Sequence, residues 1–368
     1  MTFSDNSSVH GAALTEENQA DLLDIGLFLL DDPDSANTVV SPVGVAAAAG
    51  VIAEGGSDEP IIDLKSLQPA WTMWRRWAGP PARHPKKNPV IATAAQIFVD
   101  PEFSIKPAYH KAIAGWDVSI ETGAITQENL DEWARINTTN LIQQSGIRVT
   151  PEMKLVLQNA ITFAAKWQED FRQGGVIDDD FTRADGTVTR VEMMGSVRHA
   201  PYTVSDGWRG VRLDYTDGEL AAFVLIPDAD PGQVTPTMLK QAVSQLCRPN
   251  ETTGLVRVGL PRLRLTTKKD LIPFLQHLGL AGNIDLPTMT NANPVDITQA
   301  VQQAIMLVDE EGTVASAVTE VGGLAGAAPG TIPEQPIDII ADRPFYLVIG
   351  DVETGTPLFL SRISDPAA

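Results

Sequence analysis

The chain has 368 residues, 43% of them hydrophobic, with 27 Lys+Arg against 47 Asp+Glu and a formal net charge of −20. The apolar fraction is ample for a buried core, and the acidity argues against general phosphate-backbone affinity, so no nucleic-acid partner is expected. A lone cysteine, Cys247, rules out a disulfide within the chain and reads as a small buried residue, while length alone suggests about two or three domains.

Residues 1–14 are polar and expected to fray. The first thirty residues lack a basic start, an apolar core and a cleavage site. No run reaches the roughly 18 apolar residues a membrane span needs. No membrane partner and a cytoplasmic location are therefore expected. Thr15 to Leu30 reads as a helix, with an acidic, polar start and then Leu22, Leu23, Ile25, Leu27, Leu29 and Leu30. Ser41-Pro42 opens a second helix, Ser as N-cap and Pro at the first position. That helix, Val43 to Ala53, is Ala-rich and uncharged, so it should be buried.

Lys65 to Val99 holds no acidic residue but carries Lys65, Arg75, Arg76, Arg83, Lys86 and Lys87. Trp71, Trp74 and Trp77 share one helix face. The preferred reading is an aromatic stripe anchoring a helix, with solvated basic residues beside it. A weak polyanion contact at Arg75, Arg76, Arg83, Lys86 and Lys87 is the alternative. Ile91 to Val99 and Lys154 to Trp167 read as largely apolar strands. Between them Gln127 to Gln144 reads as an exposed helix with Leu130, Trp133, Ile136, Asn137 and Leu141 on one side.

Phe181 to Val191 and Gly210 to Pro227 read as hairpins turning at Asp185-Gly186 and Asp217-Gly218. Ile297 to Glu311 reads as a further strand, and the last strands run Phe345 to Gly350 and Pro357 to Ile363. This mixed order of strands and helices suggests an α+β fold, with no repeat and no domain linker.

The chemistry of most enzyme classes is missing. The five histidines, His10, His84, His110, His199 and His277, are far apart and show no metal-ligand spacing. There is no GxxxxGK[ST] phosphate loop and no GxSxG. Gly323, Gly326 and Gly330 lack the strand–helix context of a dinucleotide site. Asp178-Asp179-Asp180 has no EF-hand spacing after it and reads as a solvated turn. No metal and no cofactor are expected.

The most informative stretch is Val308 to Thr319, VDEEGTVASAVT. It opens a segment, Thr313 to Pro336, whose only charges are Glu320 and Glu334 and which has no aromatic residue. A structureless connection beyond about 12–15 residues is usually functional or disordered, and disordered loops tend to be strongly polar. The first half has the small and β-branched residues that fit a pleated sheet. One face of such a strand would carry Thr313, Ala315, Ala317, Thr319, Val321 and Gly323, all small. The other would carry Val314, Ser316, Val318, Glu320 and Gly322. Gly312 supplies a hinge with few steric limits. This reads as an exposed loop able to become a strand.

Seven segments in one order resemble the serpin family: VVSPVGVA (39–46), QNAITFAAKWQEDF (158–171), VLIPD (224–228), GLPRLRL (259–265), VDEEGTVASA (308–317), RPFYLVIGD (343–351) and LFLSRI (358–363). The chain resembles a prokaryote-like intracellular member. The resemblance overrides the length prior. It implies a single domain over 1–368, a large mixed central β-sheet with smaller sheets, about eight or nine helices, and an exposed reactive loop at 313–336.

The function it implies is irreversible suicide-substrate inhibition of serine or, less often, cysteine proteases. The target cuts the loop, and the cut loop inserts as a new central strand before the acyl-enzyme is hydrolysed. Gly312, Thr313, Val314, Ala315, Ser316, Ala317, Val318 and Thr319 match the family's hinge. The family's spacing puts the scissile bond between Gly326 and Ala327, with Leu324 and Ala325 as better-suited alternatives to glycine. No Arg or Lys lies between Gly312 and Asp342, which points to elastase-like or subtilisin-like targets.

Trp167 and Glu310 match residues where the loop enters the sheet, and Arg262 matches a basic partner of that glutamate. Ser41 and Asn159 match polar residues behind the sheet's centre. There are two departures: Gln302 stands where a histidine is usual, and Gly44 where a second serine is usual. With a distal stretch, Ala327 to Pro344, longer than usual, they motivate the alternative of a non-inhibitory binding or storage protein.

Overall fold

A computed structural model describes residues 14–31, 35–57, 60–74, 90–138, 140–172, 174–205, 207–216, 218–228, 230–248, 251–313 and 335–368. Thr15 caps the first helix, Glu16–Leu30, and Asn18 reciprocates, closing a capping box. Ser41 caps the second, Pro42–Ala53, accepting from the Gly44 amide at 3.2 Å. That helix carries no charge, is buried along nearly its whole length, and packs against both main sheets. Seven α-helices and three short 3-10 turns lie among the described residues.

The central sheet is six-stranded, in the order Leu263–Asp270, Val301–Val308, Gly312–Thr313, Leu155–Lys166, Val90–Val99, Ser119–Thr122. It is mixed: Val301–Val308 and Leu155–Lys166 run parallel and touch at one register point, Gln303 opposite Ala160. The larger sheet runs Asn37–Val40, Pro357–Ile363, Phe345–Asp351, Leu220–Pro227, Trp208–Asp214, Val188–Ser205, Thr252–Pro261, Ile337–Ile340, with Val176–Thr182 paired to Val188–Ser205. Arg262 alone separates Thr252–Pro261 of one sheet from Leu263–Asp270 of the other. The main core lies between the sheets and around the Pro42–Ala53 helix.

The α+β reading and the central mixed sheet agree with the structure. Glycines at positive φ, Gly186 (82°) and Gly218 (70°), make the two expected hairpin turns. Two boundaries and one turn assignment need correction. The expected 127–144 helix is Gln127–Asn137. Thr138 ends it: its hydroxyl donates back to the Ala134 carbonyl at 2.7 Å and accepts the Ile142 amide at 3.0 Å. Its buried side is Leu130 and Ala134, while Ile136 is 66% exposed. The expected 297–311 strand is Val301–Val308. Asp178-Asp179-Asp180 lies in the strand Val176–Thr182 rather than in a turn, and Arg190 pairs with Asp180 across that ladder.

Cys247 is buried, and burial pushes its thiol up to about 12. Trp71 is fully buried in the middle of a short helix, Gln68–Trp74. Its indole donates to the Trp116 carbonyl at 2.8 Å. Arg75, Arg76, Arg83, Lys86 and Lys87, the polyanion candidates, lie outside the described residues. Among the described residues no helix is long and apolar enough to cross a membrane, and no group of three or more ligand-type side chains is placed to hold a metal.

Candidate functional site

The end of Val301–Val308 makes a tight turn and starts back into its own sheet. Asp309 builds the turn: its carboxylate accepts the amides of Glu311 (2.9 Å) and Gly312 (3.1 Å). Burial, with Glu310 and Glu311 adding like charge, leaves this carboxyl above the usual range even though both amides favour its anion. Gly312–Thr313 then pairs antiparallel with both neighbours: Thr313 opposite Val308, Gly312 opposite Lys166, Thr313 opposite Ala165. A Cβ at Gly312 would stand 2.0 Å from the Ala165 carbonyl oxygen, so only glycine passes there.

Thr313 is 3% exposed, and its hydroxyl sits 2.8 Å from the Tyr215 hydroxyl. Tyr215 stacks on Trp167, ring centroids 4.8 Å apart and 8° from parallel. The Trp167 indole donates to the Asp309 carbonyl at 2.9 Å, and its amide to the Glu311 carbonyl at 3.0 Å. So Trp167 grips the turn that leads into Gly312–Thr313.

Arg262 grips it from the other side. Its Nε and Nη2 donate to Glu310 at 3.0 and 2.7 Å as a bidentate pair, and its Nη1 donates to Glu192 at 2.7 Å. Burial pushes the Glu310 carboxyl up, but the Arg262 pair outweighs it and leaves the group below its ordinary value. A depressed carboxyl stabilises the fold above its ordinary value of 4.5, and the effect fades as pH falls through the lower folded value. Replacing Glu310 with glutamine should therefore lower the melting temperature at pH 7 by a few degrees at most, as a partly exposed pair contributes about 1 kcal/mol or less. The gap between variant and wild type should begin to narrow as pH falls below 4.5 and close only below the depressed folded value. Melting curves across pH 3–8 check this; a gap constant over the whole range would contradict it.

Behind the sheet's centre Gln302 and Gly44 arrange the polar residues. The Gln302 side chain bonds both ends of the Ser41 backbone, accepting its amide at 2.9 Å and donating to its carbonyl at 3.0 Å. Asn159 faces the same place with no partner for its amide oxygen or nitrogen, both buried. A Cβ at Gly44 would come within 2.8 Å of the Asn159 oxygen and 3.2 Å of the Gln302 nitrogen. Glycine at 44 gives the glutamine room, and the glutamine leaves Asn159 unsatisfied.

Below the Gln303–Ala160 contact the two strands diverge around a cavity of about 370 Å3, bounded by Leu155 and Leu157 on one strand and Val301 and Gln302 on the other. A linker laid over its base is stitched to the sheet by glutamines. Gln303 accepts the Gly146 amide at 2.6 Å and donates to the Gln144 carbonyl at 3.1 Å. Gln299 makes the same pair with both backbone groups of Arg148, at 3.0 and 2.9 Å.

The structure thus brings Gly312, Thr313, Trp167, Glu310 and Arg262 together at the top of the central sheet, and Ser41, Gly44, Asn159 and Gln302 together behind its middle. Val314, Ala315, Ser316, Ala317, Val318 and Thr319 of the hinge, and Leu324, Ala325, Gly326 and Ala327 around the expected bond, lie outside the described residues. Sequence reasoning missed Tyr215, Asp309, Gln299 and Gln303. Asp309 alone left a signal, an Asp two residues before an acidic Glu-Gly step, the pattern of a side chain closing its own turn.

A family model described as Serpin (serine protease inhibitor) matches residues 27–366. The chain is 27% identical over 384 aligned residues to a leukocyte elastase inhibitor of Bos taurus, covering 96% of this chain and 99% of that one. It is 25% identical over 348 residues to an uncharacterized serpin-like protein of Thermococcus kodakarensis, covering 90% and 81%. Among solved structures it is similar to the thermophilic serpin tengpin in its native state, with a TM-score of 0.81, 22% identity, and 97% and 96% of the two chains covered.

Proposed function

The chain belongs to the serpin family, and from that premise we propose that it is an irreversible inhibitor of elastase-like or subtilisin-like serine proteases. The family supports protease inhibition in general; the target class and the loop mechanism are our reading. The observation that carries it is the hinge seated at the top of the central sheet, antiparallel to both neighbours. That is the direction and position a new strand must take.

The seated pair also fixes the register of a continuation. Thr313 lies opposite Ala165 and Val308. Six residues further on, Thr319 would lie opposite Asn159, six back from Ala165, and opposite Gln302, six back from Val308. Its side chain shares the inward face of Thr313, so its hydroxyl would reach the unsatisfied Asn159 amide. Glu320 would fall beside Gln158, whose side chain donates to the Leu130 carbonyl of the covering helix, so the charge would stay off the core face. Residues 319–323 would run through the cavity. Thr313 to Gly326 as a strand measures roughly 46 Å at about 3.3 Å per residue, enough to carry a protease across a domain.

In the mechanism the protease supplies the chemistry. Its serine attacks the carbonyl of the bait bond and forms an ester, and the amine starting at Ala327 leaves. The hinge then zips downward, and the linker held by Gln299 and Gln303 has to give way. Insertion outruns the water that would hydrolyse the ester. Incubation with elastase and subtilisin should yield a complex that survives SDS, together with a released fragment whose mass begins it at Ala327. If every protease cuts the loop and leaves active, the proposal fails. Gln302 and Gly44 favour a second reading, a non-inhibitory binding protein, in which the loop never inserts.

A further inference from the structure

We propose that an open groove between the helix Gln127–Asn137 and the outer edge of the central sheet binds a linear aliphatic polyamine. The helix buries Leu130 and Ala134. A second stripe, Asn129, Glu132, Trp133, Ile136 and Asn137, is spaced i, i+3, i+4, i+7, i+8, so it shares one helix face, and all five line the groove. The facing wall is Asp117 with Ser119 and Glu121 of the edge strand Ser119–Thr122, and the floor is Ala94, Gln96 and Phe98 of the strand beside it. The groove measures about 800 Å3, within the range of small-molecule sites, roughly 300–1,000 Å3.

Its lining selects the ligand. Ile136 is 66% exposed and Trp133 half-buried, so apolar surface is left uncovered. Asp117, Glu121 and Glu132 bring three carboxylates, and among the described residues no Lys, Arg or His lines the groove. Glu132 is shared with Arg135, so the larger share of the attraction falls to the opposite wall, where Glu121 is exposed and in no ion pair among the described residues. Asn129 and Asn137 give their amide nitrogens to the Ala124 and Trp133 carbonyls, each at 2.9 Å, which leaves their oxygens to accept. The fitting ligand is therefore cationic, rich in donors and apolar between its charges. An alkylammonium offers three donors and no acceptor. The methylenes of a polyamine would lie on Ile136 and Trp133, whose ring face also attracts the cation. A metal ion fits less well: among the described residues no three ligand-type side chains converge to hold one. The carboxylates are spread over two walls and suit a ligand whose charges are spread too. The site stands or falls independently of the inhibitory function.

Spermidine is a suitable probe, titrated calorimetrically at neutral pH and physiological ionic strength, where distant surface charges are largely screened. It should bind saturably, one molecule per chain. Glu121→Gln should weaken it about fivefold, and adding Trp133→Ala should bring the loss above about tenfold. Ile136→Lys changes a position that is 66% exposed, so the fold should tolerate it. It places the chain's own ammonium in the groove and should weaken spermidine at least about tenfold. Asp178→Asn removes one charge from an exposed position on the larger sheet and should bind as the wild type does. That variant separates a built groove from the general attraction of a chain at −20. Magnesium at the same concentration should leave the spermidine in place. Absence of saturable binding, equal losses in Asp178→Asn and Glu121→Gln, unchanged affinity in Ile136→Lys, or displacement by magnesium overturns the site.

Discussion

Thr313→Arg should abolish protease trapping and leave loop cleavage intact. In the uncut molecule Thr313 already sits in the sheet, 3% exposed, between Val308 and Ala165, with its hydroxyl on Tyr215. A guanidinium there would exchange water for the Trp167–Tyr215 stack and one phenol. The penalty for burying an unpaired charge is several kcal/mol or more. The lowest-energy response is for Gly312–Thr313, the described residues seated there, to leave the sheet. The inserted state has no such response, since its first inward residue would be the arginine. Each 1.4 kcal/mol changes the competition between insertion and hydrolysis about tenfold, so inhibitor consumed per protease trapped should rise at least tenfold. Thr313→Ser keeps the hydroxyl opposite Tyr215 and should trap normally. Equal trapping by wild type and the arginine variant would show that this position does not face the core after cleavage.

The parts of this site that sequence made legible are those set by local rules. Ser41-Pro42 announces a helix start by side-chain capping and fixed φ. The alternation from Thr313 onward gives the face that must be small. The Arg262–Glu310 pair could be named only through the family resemblance, since 48 residues separate its members. Tyr215 was illegible for the same reason without that help: it precedes a hairpin turn, and nothing nearby indicates that it backs Thr313, 98 residues away. The 127–144 helix was misjudged because its amphipathic pattern runs on past Asn137, while a single Thr138 hydroxyl stops the helix. Gln299 and Gln303 looked like ordinary polar strand residues. Their role depends on a linker that periodicity cannot place.

Under the proposed inhibitory mechanism, cleavage within residues 313–336 should raise the melting temperature by on the order of 10 °C. Hydrogen bonds alone do not give this. A net contribution of about 1 kcal/mol per ladder bond is matched by about 1–2 kcal/mol per residue of lost backbone freedom. What tips the balance is the void below Gln303–Ala160 and the unsatisfied Asn159. Filling about 370 Å3 at about 24 cal/mol per Å3 contributes up to about 9 kcal/mol, an upper bound for a cavity with a solvent side. Pairing Asn159 adds about 1–3 kcal/mol. In a chain of this length each kcal/mol moves the transition by about 1–2 °C. The void can be filled by the loop only if Gly312 and Thr313 are the first residues of a longer strand. A clipped protein that melts where the intact one does would therefore mean that the seated pair is a fixed cap, that the void stays open, and that the chain is a binding protein on an inhibitor's fold. A Gly312→Val variant separates the two cases further. Its side chain cannot pass the Ala165 carbonyl, so it should lose the thermal gain on clipping while remaining fully cleavable.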